Sequence, residues 1–577
     1  MFEPVSNQVS FPDIEEQILQ FWADKEIFQK SLQQREGAEH YTFYDGPPFA
    51  TGLPHYGHLM ASTIKDVVPR YQTMRGKYVD RTFGWDCHGL PVENEVEKEL
   101  NLGSRHEIEE YGVDAFNEKC RSIVLRYTEE WEDIITRLGR WVDFSGGYRT
   151  MDRDYMESIW WVFRRLWDEG LVYQGYKILP YCMRCATPLS NFEANQDYQE
   201  IQDPSITVRF QSEEDSATYF LAWTTTPWTL PSNLALAVHP DIQYVKVQDD
   251  GVSYILAQDL IATYYGEEPP PVLEEFKGSE LLGKRYKPLF PYFEHLREEG
   301  AFRIISADFV GIETGTGLVH IAPGFGEDDY AACLENEIPV VCPVDEECRF
   351  TSEVWDFQGR NVKEADGDLI KRFKKEKQLV HKTTYSHNYP HCWRCESPLI
   401  YRTVSTWFVN VEAVKDRMLK ANDQIHWVPS HLREGRFGNW LANARDWAVS
   451  RNRYWGCPLP IWQSEDGEET VCVGSVQELE ELAGTSVTDL HKHYVDDIEI
   501  QSQNGRGKLR RVPEVLDCWF ESGSMPYAQH HYPFENKEFV EQHFPADFIA
   551  EGLDQTRGWF YTLVVLGAAL FDRPPFR

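Results

Sequence analysis

Two short cysteine pairs in matching text, Cys182-x-x-Cys185 and Cys392-x-x-Cys395, constrain this chain more than any other feature. The first is Tyr181-Cys-Met-Arg-Cys-Ala-Thr-Pro-Leu and the second His391-Cys-Trp-Arg-Cys-Glu-Ser-Pro-Leu. Thiolates two residues apart chelate one ion from a tight turn, and two such knuckles complete the four-sulfur tetrahedron that zinc favours. The distance between the pairs exceeds the usual ribbon spacing. A shared structural zinc therefore requires the intervening residues to loop out as an insertion whose stem the metal ties. Two redox-active pairs are the alternative, and their matching context weighs against it. His391, beside the second knuckle, is a candidate substitute ligand or a turn residue. Twelve cysteines in 577 residues are too dilute for a disulfide scaffold.

The flanks of the insertion carry a different texture. A strand-like run, Tyr41 to Tyr44, leads into Pro47-Pro48-Phe49-Ala50-Thr51-Gly52-Leu53-Pro54-His55-Tyr56-Gly57-His58, and a helical stretch follows through Ile64, Val67, Val68 and Tyr71. A second strand-like run spans Tyr78 to Phe83, and an aromatic-rich helix Tyr155 to Glu169. This pattern predicts a doubly wound α/β unit, whose ligands collect at the carboxyl ends of its strands. A phosphate chain at the glycine turn would meet free backbone N–H groups at a helix N-terminus, a glycine that permits close approach, and two imidazoles able to donate to developing negative charge. A turn with two surface histidines is the other reading of H-x-G-H alone. Residues 11 to 30 predict an amphipathic helix packed on a core, with Ile14, Ile18, Phe21 and Trp22 at helical spacing and Leu19 beside them.

Between Ile201 and Thr384 short β-branched runs predominate: Ile206 to Phe210, Tyr219 to Trp223, Tyr244 to Val247 and Gly317 to Ile321, with a Pro-rich loop at Tyr265 to Val272. The expected organisation is a helix and first α/β half over 1–180, a cysteine stem over 181–200, a strand-rich insertion over 201–384, the second knuckle over 385–400 and a second α/β half over 401–577. The net charge of −36 argues against a wholly polyanion-binding surface. A nucleic-acid partner would need local patches: Lys371, Arg372, Lys374, Lys375 and Lys377, or the arginines at 433, 436, 445, 451 and 453. A solvated helix face is the other reading of the lysine cluster. Neither a signal peptide nor an apolar run of spanning length is seen, which predicts a cytoplasmic protein with no membrane partner.

The segment from Tyr44-Asp45-Gly46-Pro47 through His58 resembles the HIGH signature of class I aminoacyl-tRNA synthetases. Gly84-Trp85-Asp86-Cys87-His88-Gly89-Leu90-Pro91 and Ser450 to Pro460 are similar to the isoleucine-specific members, in their eukaryote-like branch. The resemblance implies a Rossmann-like catalytic fold of the HUP class, ATP with Mg²⁺, isoleucine and its tRNA as partners, and a monomer. It assigns catalysis to His55 and His58, and ATP or adenylate binding to Asp45, Gly46, Pro47, Gly57, Glu551, Gly552, Asp554 and Gln555. The amino acid would lie against Pro47, Asp86, Trp519 and Gln555. Trp223 to Pro231 and Gly315 to Tyr330 resemble the family's editing domain. There Thr224, Thr225, Thr226 and His320 would position ester and water, and Asp329, or less well Asp328, would hold the α-ammonium group. The Ser450 to Pro460 block either contacts the acceptor strand or packs on the fold.

No Lys-Met-Ser-Lys-Ser-like loop and no helical anticodon-binding domain follow, so the resemblance implies an N-terminal fragment with crippled adenylation and a complete editing domain. A hydrophobic pocket separates isoleucine from valine by only about 1–3 kcal/mol, a limit for which isoleucyl-tRNA synthetase is itself the standard worked case. The implied function is isoleucine activation, transfer to tRNA and hydrolysis of the valyl ester. Valine or leucine specificity, and an inactive or free-standing tRNA-binding or editing module, are the alternatives.

Overall fold

The helix Tyr56–Met74 begins where His55 folds its own ring back as the cap, and it follows the first extended ribbon of a parallel array. In the computed structural model, which describes residues 8–249, 251–266 and 268–577, the chain forms two units. One comprises the chain up to Gln174 with Trp407–Arg577, and the other Gly175–Thr406.

Five ribbons of the first unit pair in parallel. His40 bridges Tyr78 and Phe49 bridges Asp86; Thr82 bridges Asp143 and Trp85 bridges Arg149; Phe43 bridges Phe548, and Ala546 bridges Phe576. Backbone bonds support each step, including Tyr41 N–H to Tyr78 O at 2.8 Å, Phe83 N–H to Asp143 O at 2.9 Å and Ala546 N–H to Pro575 O at 3.0 Å. Numbered along the chain, the ribbons lie in the order 3-2-1-4-5, the doubly wound arrangement with its switch point between ribbons 1 and 4. The helix Tyr56–Met74 crosses from ribbon 1 to 2, and Trp559–Phe571, buried from Trp559 to Ala569, crosses from 4 to 5. The insertion falls between ribbons 3 and 4. The stretch before ribbon 4 is less α/β than its sequence predicts: Thr470–Cys472, Ile461–Gln463, Lys508–Arg511 and Ile500–Gln501 form a small sheet, in that order, with antiparallel pairs.

The second unit is built on a six-stranded sheet in the order Leu379–His391, Asp197–Gln211, Thr218–Thr224, Val252–Ala257, Gln243–Asp249, Val272–Lys277. A three-stranded sheet of Val319–Ile321, Ala235–Val238 and Arg303–Ser306 adds to it. The first two strands of the large sheet run antiparallel with Asp197 opposite His391, which brings the two ends of the insertion together. The unit extends past both cysteine pairs, so the knuckles belong to it instead of lying outside a 201–384 body. Part of the predicted loop Tyr265 to Val272, at residue 267, lies outside the described residues.

One helical expectation is corrected. Residues 11–30 split into Phe11–Asp24 and Ile27–Gln33, because Glu26 between them takes a left-handed conformation (φ 51°). The first of these buries none of its residues fully; Phe11, Ile14, Ile18 and Phe21 are exposed, while Leu19 and Trp22 are half-buried, Trp22 edge-on against Trp141 at 5.5 Å. In Tyr56–Met74 the polarity is inverted: Ile64, Val67 and Tyr71 face out, while Ser62, Lys65, Pro69 and Thr73 are buried.

Candidate active site and metal centre

At the carboxyl ends of ribbons 1 and 4 the first unit encloses a cavity of about 290 Å³. One wall is the capped helix. His55 Nδ1 accepts from Gly57 N–H at 3.1 Å, and His58 Nδ1 accepts from His55 N–H at 3.2 Å, so both rings keep their proton on Nε2 as a free donor. The rings stack 3.8 Å apart, and a Cβ on Gly57 would sit 2.9 Å from the His55 ring, which is why this position is glycine. Burial, then the neighbouring His55 and Lys65, press the His58 ring down to about 4, so it is a neutral donor at pH 7.

Beneath the helix, buried Lys65 sits between Asp45, at 2.7 Å, and Glu551. Arg140 pairs with Asp45 from the other side and donates to Ser62 Oγ at 3.2 Å. Burial alone would raise the Asp45 carboxyl; Arg140 and Lys65 outweigh it and hold the group below its ordinary value. Glu551 is displaced the other way, upward by burial, with Lys65 opposing. Gly46 lets the loop approach: a Cβ there would lie 2.5 Å from Glu551 Oε1.

The opposite side of the cavity is lined by Pro47, Asp86 and Trp519, with Gly552, Asp554 and Gln555 at its edge. Asp86 is buried, its Oδ1 has no hydrogen-bond partner, and burial, then Glu521 and Asp517, push its carboxyl well above the ordinary value. Such a group ionises only when a positive charge comes to face it. Trp519 lies where a Cβ on Gly558 would come within 3.1 Å of its ring, and Gln555 Oε1 accepts from Trp559 N–H at 3.1 Å while its amide donates to Asp554 at 2.9 Å. The two histidines, the Asp45 and Glu551 loops, Asp86 and Trp519 thus border one space.

In the second unit a hydroxyl chain joins two of the predicted segments. Thr224 Oγ1 lies 3.1 Å from Thr226 Oγ1 and Thr226 Oγ1 3.3 Å from Thr229 Oγ1, which in turn lies 2.9 Å from His320 Nε2. His320 is buried and pressed down to about 4 by burial, so the ring is neutral. Asp329 accepts from Ala322 N–H at 2.8 Å, two residues past His320, and burial, then Asp328, raise it to about 7. Asp328 is exposed. Thr225 is half-buried.

The four cysteines also converge. Their sulfurs lie within 4.8 Å of one another, with Cys182 and Cys395 at 3.4 Å. Zn–S bonds of about 2.3 Å hold tetrahedral sulfurs just under 4 Å apart, so the set fits zinc. The residue after each knuckle, Ala186 (φ 49°) and Glu396 (φ 59°), turns left-handed in the same way. His391 is not part of the group; its Nδ1 lies 3.0 Å from Tyr389 O.

Two predicted basic-patch residues are structural instead. Arg451 is buried against Asp517 at 2.8 Å, and Arg453 is buried on Glu93 and Glu97, because the Ser450 to Pro460 block packs inside the first unit. Arg372 pairs with Asp356 and Glu376, whereas Lys374 and Lys375 are exposed. The sequence reading missed Lys65, Arg140 and Thr229. Lys65 carried one signal, a charge on the same helical face as Ser62, Pro69 and Thr73; Arg140 carried none.

A family model described as "tRNA synthetases class I (I, L, M and V)" matches residues 17–577. The chain is 55% identical to an isoleucine–tRNA ligase of Treponema denticola, covering 100% of this chain and 56% of the relative. It is 58% identical to that of Chlamydia pneumoniae, covering 98% of this chain and 54% of the relative, and 57% identical to that of Protochlamydia amoebophila, covering 100% and 56%. The chain spans little more than half the length of these curated relatives.

Proposed function

The chain belongs to the class I tRNA synthetases of the I, L, M and V group, and from that premise we propose that it carries the activating and proofreading sites of an isoleucine–tRNA ligase acting as a monomer in the cytoplasm. The observation that carries this reading is Asp86, a buried carboxyl without a resident cation, facing one space with Trp519 and the two Nε2–H donors. Identity of 55–58% to isoleucine–tRNA ligases supports the isoleucine assignment over valine or leucine.

In this reading Asp86 takes the α-ammonium group and Trp519 and Pro47 wall the branched side chain. ATP arrives as its magnesium complex. His55 and His58 donate to its phosphate oxygens, Gly46 and Gly57 permit close approach, and Asp45, Glu551, Gly552, Asp554 and Gln555 frame the nucleoside side. A carboxylate oxygen of isoleucine attacks the α-phosphorus, the C–O–P anhydride forms, and the α–β P–O bond breaks to release pyrophosphate. A terminal ribose hydroxyl of tRNA then attacks the carbonyl carbon and AMP leaves. Donors fixed before charge develops stabilise such steps, each contributing about 10²–10³ in rate.

In the second unit, Asp329 holds the ammonium group of a mischarged valyl ester, while Thr224, Thr225, Thr226 and His320 orient ester and water. Water adds to the carbonyl carbon and the ester C–O bond breaks. Cys182, Cys185, Cys392 and Cys395 hold a structural zinc. The test is hydrolysis by this chain, without ATP, of Val-tRNA and Ile-tRNA made on the isoleucine isoacceptor, beside amino-acid-dependent exchange of pyrophosphate into ATP. Selective loss of the valyl ester is expected, with isoleucine driving any exchange. Hydrolysis without exchange would favour a proofreading module; exchange driven by valine or leucine would overturn the isoleucine assignment.

A further inference from the structure

Behind the Asp86 side of the cavity runs a row of buried groups that none of the steps above uses. His88, two residues past Asp86, places Nδ1 2.6 Å from Glu521 Oε2 and Nε2 2.9 Å from His491 Nε2. His491 places Nδ1 2.5 Å from Asp489 Oδ1, and Arg121 closes the far end on Asp489 Oδ2 at 2.8 Å. Both rings are 1% exposed, and Trp455 stacks parallel to His491 at 4.4 Å and edge-on to His88 at 5.1 Å. Glu521 Oε1 accepts from Cys457 N–H at 3.1 Å.

The protons in this row can be counted. A 2.9 Å contact between two ring nitrogens needs one N–H between them, and each carboxylate link needs one more. Arg121 Nη2 also lies 3.1 Å from His491 Nδ1, but that nitrogen is only 2.5 Å from Asp489 Oδ1, a carboxylate held below its ordinary value by hydrogen bonds from His491 and the charge of Arg121, and a contact that short between the two needs the proton on Nδ1. Three links hold three protons, and two neutral imidazoles own only two. We propose that His88 and His491 share this third proton, and that the charge it carries positions the amino-acid side of the cavity by coupling the loop of Asp86 to the helix Cys518–Gly523 that bears Trp519 and Glu521.

Charge balance points the same way. Three carboxylates cluster here: Asp517 has a resident cation, Arg451 at 2.8 Å, whereas Glu521 meets the His88 ring and without the surplus proton would face only neutral imidazoles. Asp86 has none, and is left to the ligand. The other titratable groups facing the pair are His493, its ring 6.2 Å from His491, and Glu118, bonded to His493 at 3.0 Å. Gly89 admits the close approach, since a Cβ there would meet Cys518 at 3.2 Å.

The role rests on reading the cavity as an amino-acid site, whereas the shared proton does not. Histidine ring ¹⁵N spectra of the unliganded chain at pH 8 should contain one imidazolium that disappears in both His88→Gln and His491→Gln. Two neutral rings in the wild type would overturn the proposal even if the variants fail to fold. Isoleucine binding, read by tryptophan fluorescence, should weaken by about tenfold or more in His88→Gln, the scale of one lost hydrogen bond to a charged group. Binding lost in Asp86→Asn but unchanged in a folded His88→Gln would overturn the positioning role alone. Binding unchanged in Asp86→Asn would instead overturn the reading of the cavity.

Discussion

At Asp329 one carboxyl group is required to be charged for its proposed work while its surroundings oppose the charge. Burial, then Asp328, raise it to about 7, so the free protein carries a carboxylate at pH 8 and a carboxylic acid at pH 5.5. Only the carboxylate pairs with an ammonium group. His320 stays neutral down to about 4 and cannot supply a change in that interval. The kcat/KM for valyl-ester hydrolysis, which reports groups of the free enzyme, should therefore fall as pH drops through about 7. Asp329→Asn should give a low rate without that acid limb. An unchanged limb in the variant would assign it to another group and remove Asp329 from the site.

At the scale of elements, the helix Tyr56–Met74 shows what pattern reading captures and what it misses. The helix start at H-x-G-H was legible because its signal is local, a glycine turn after a strand-like run; that the two rings would fold back and take up the N–H groups of Gly57 and His55, which the sequence suggested were free, was not. Which face points inward was not. Ile64, Val67 and Tyr71 are 46%, 59% and 57% exposed, while Lys65 is 6% exposed, because the helix lies over a charged cavity instead of an apolar core. The partners that would have revealed this are remote, Asp45 being 95 positions from Arg140 and His88 403 from His491. Lys65→Met tests the inversion. Removing one partner of a buried ion pair costs about 3–5 kcal/mol, and here it leaves Glu551 without its cation. The folded-state Glu551 carboxyl is already raised, and losing Lys65 raises it further. The penalty is thus fully present above that folded value and relieved as pH falls through it and the group takes a proton. Urea midpoints should separate wild type and variant more at pH 8 than at pH 5. Equal separation would mean Lys65 contributes packing, not charge.

For the whole molecule, the strand-rich unit owes its coherence to two different constraints. Its interior is a continuous apolar cluster running from Ile206 and Phe210 through Tyr286 and Phe302 to Leu369 and Phe373. Its base is held by the Asp197–Gln211 and Leu379–His391 pairing and by the four cysteines just beyond it. The cysteine spacing made the closed insertion legible in advance, since a shared ion requires the two ends of the intervening chain to meet. The core itself was visible only as texture, because its contacts join strands whose order depends on tertiary pairing. A 232-residue unit (175 through 406) with its own core does not need a metal to fold, unlike a small zinc finger. One zinc per chain is expected by elemental analysis. Stripping it with a chelator should raise amide hydrogen exchange at Tyr181–Leu189 and His391–Leu399 while the central strands Thr218–Thr224 and Val252–Ala257 keep their protection. Loss of protection throughout the unit would make the metal part of its folding nucleus; unchanged exchange at the knuckles would show that hydrogen bonds alone, such as Cys392 N–H to Ser397 O at 2.8 Å, hold the base closed.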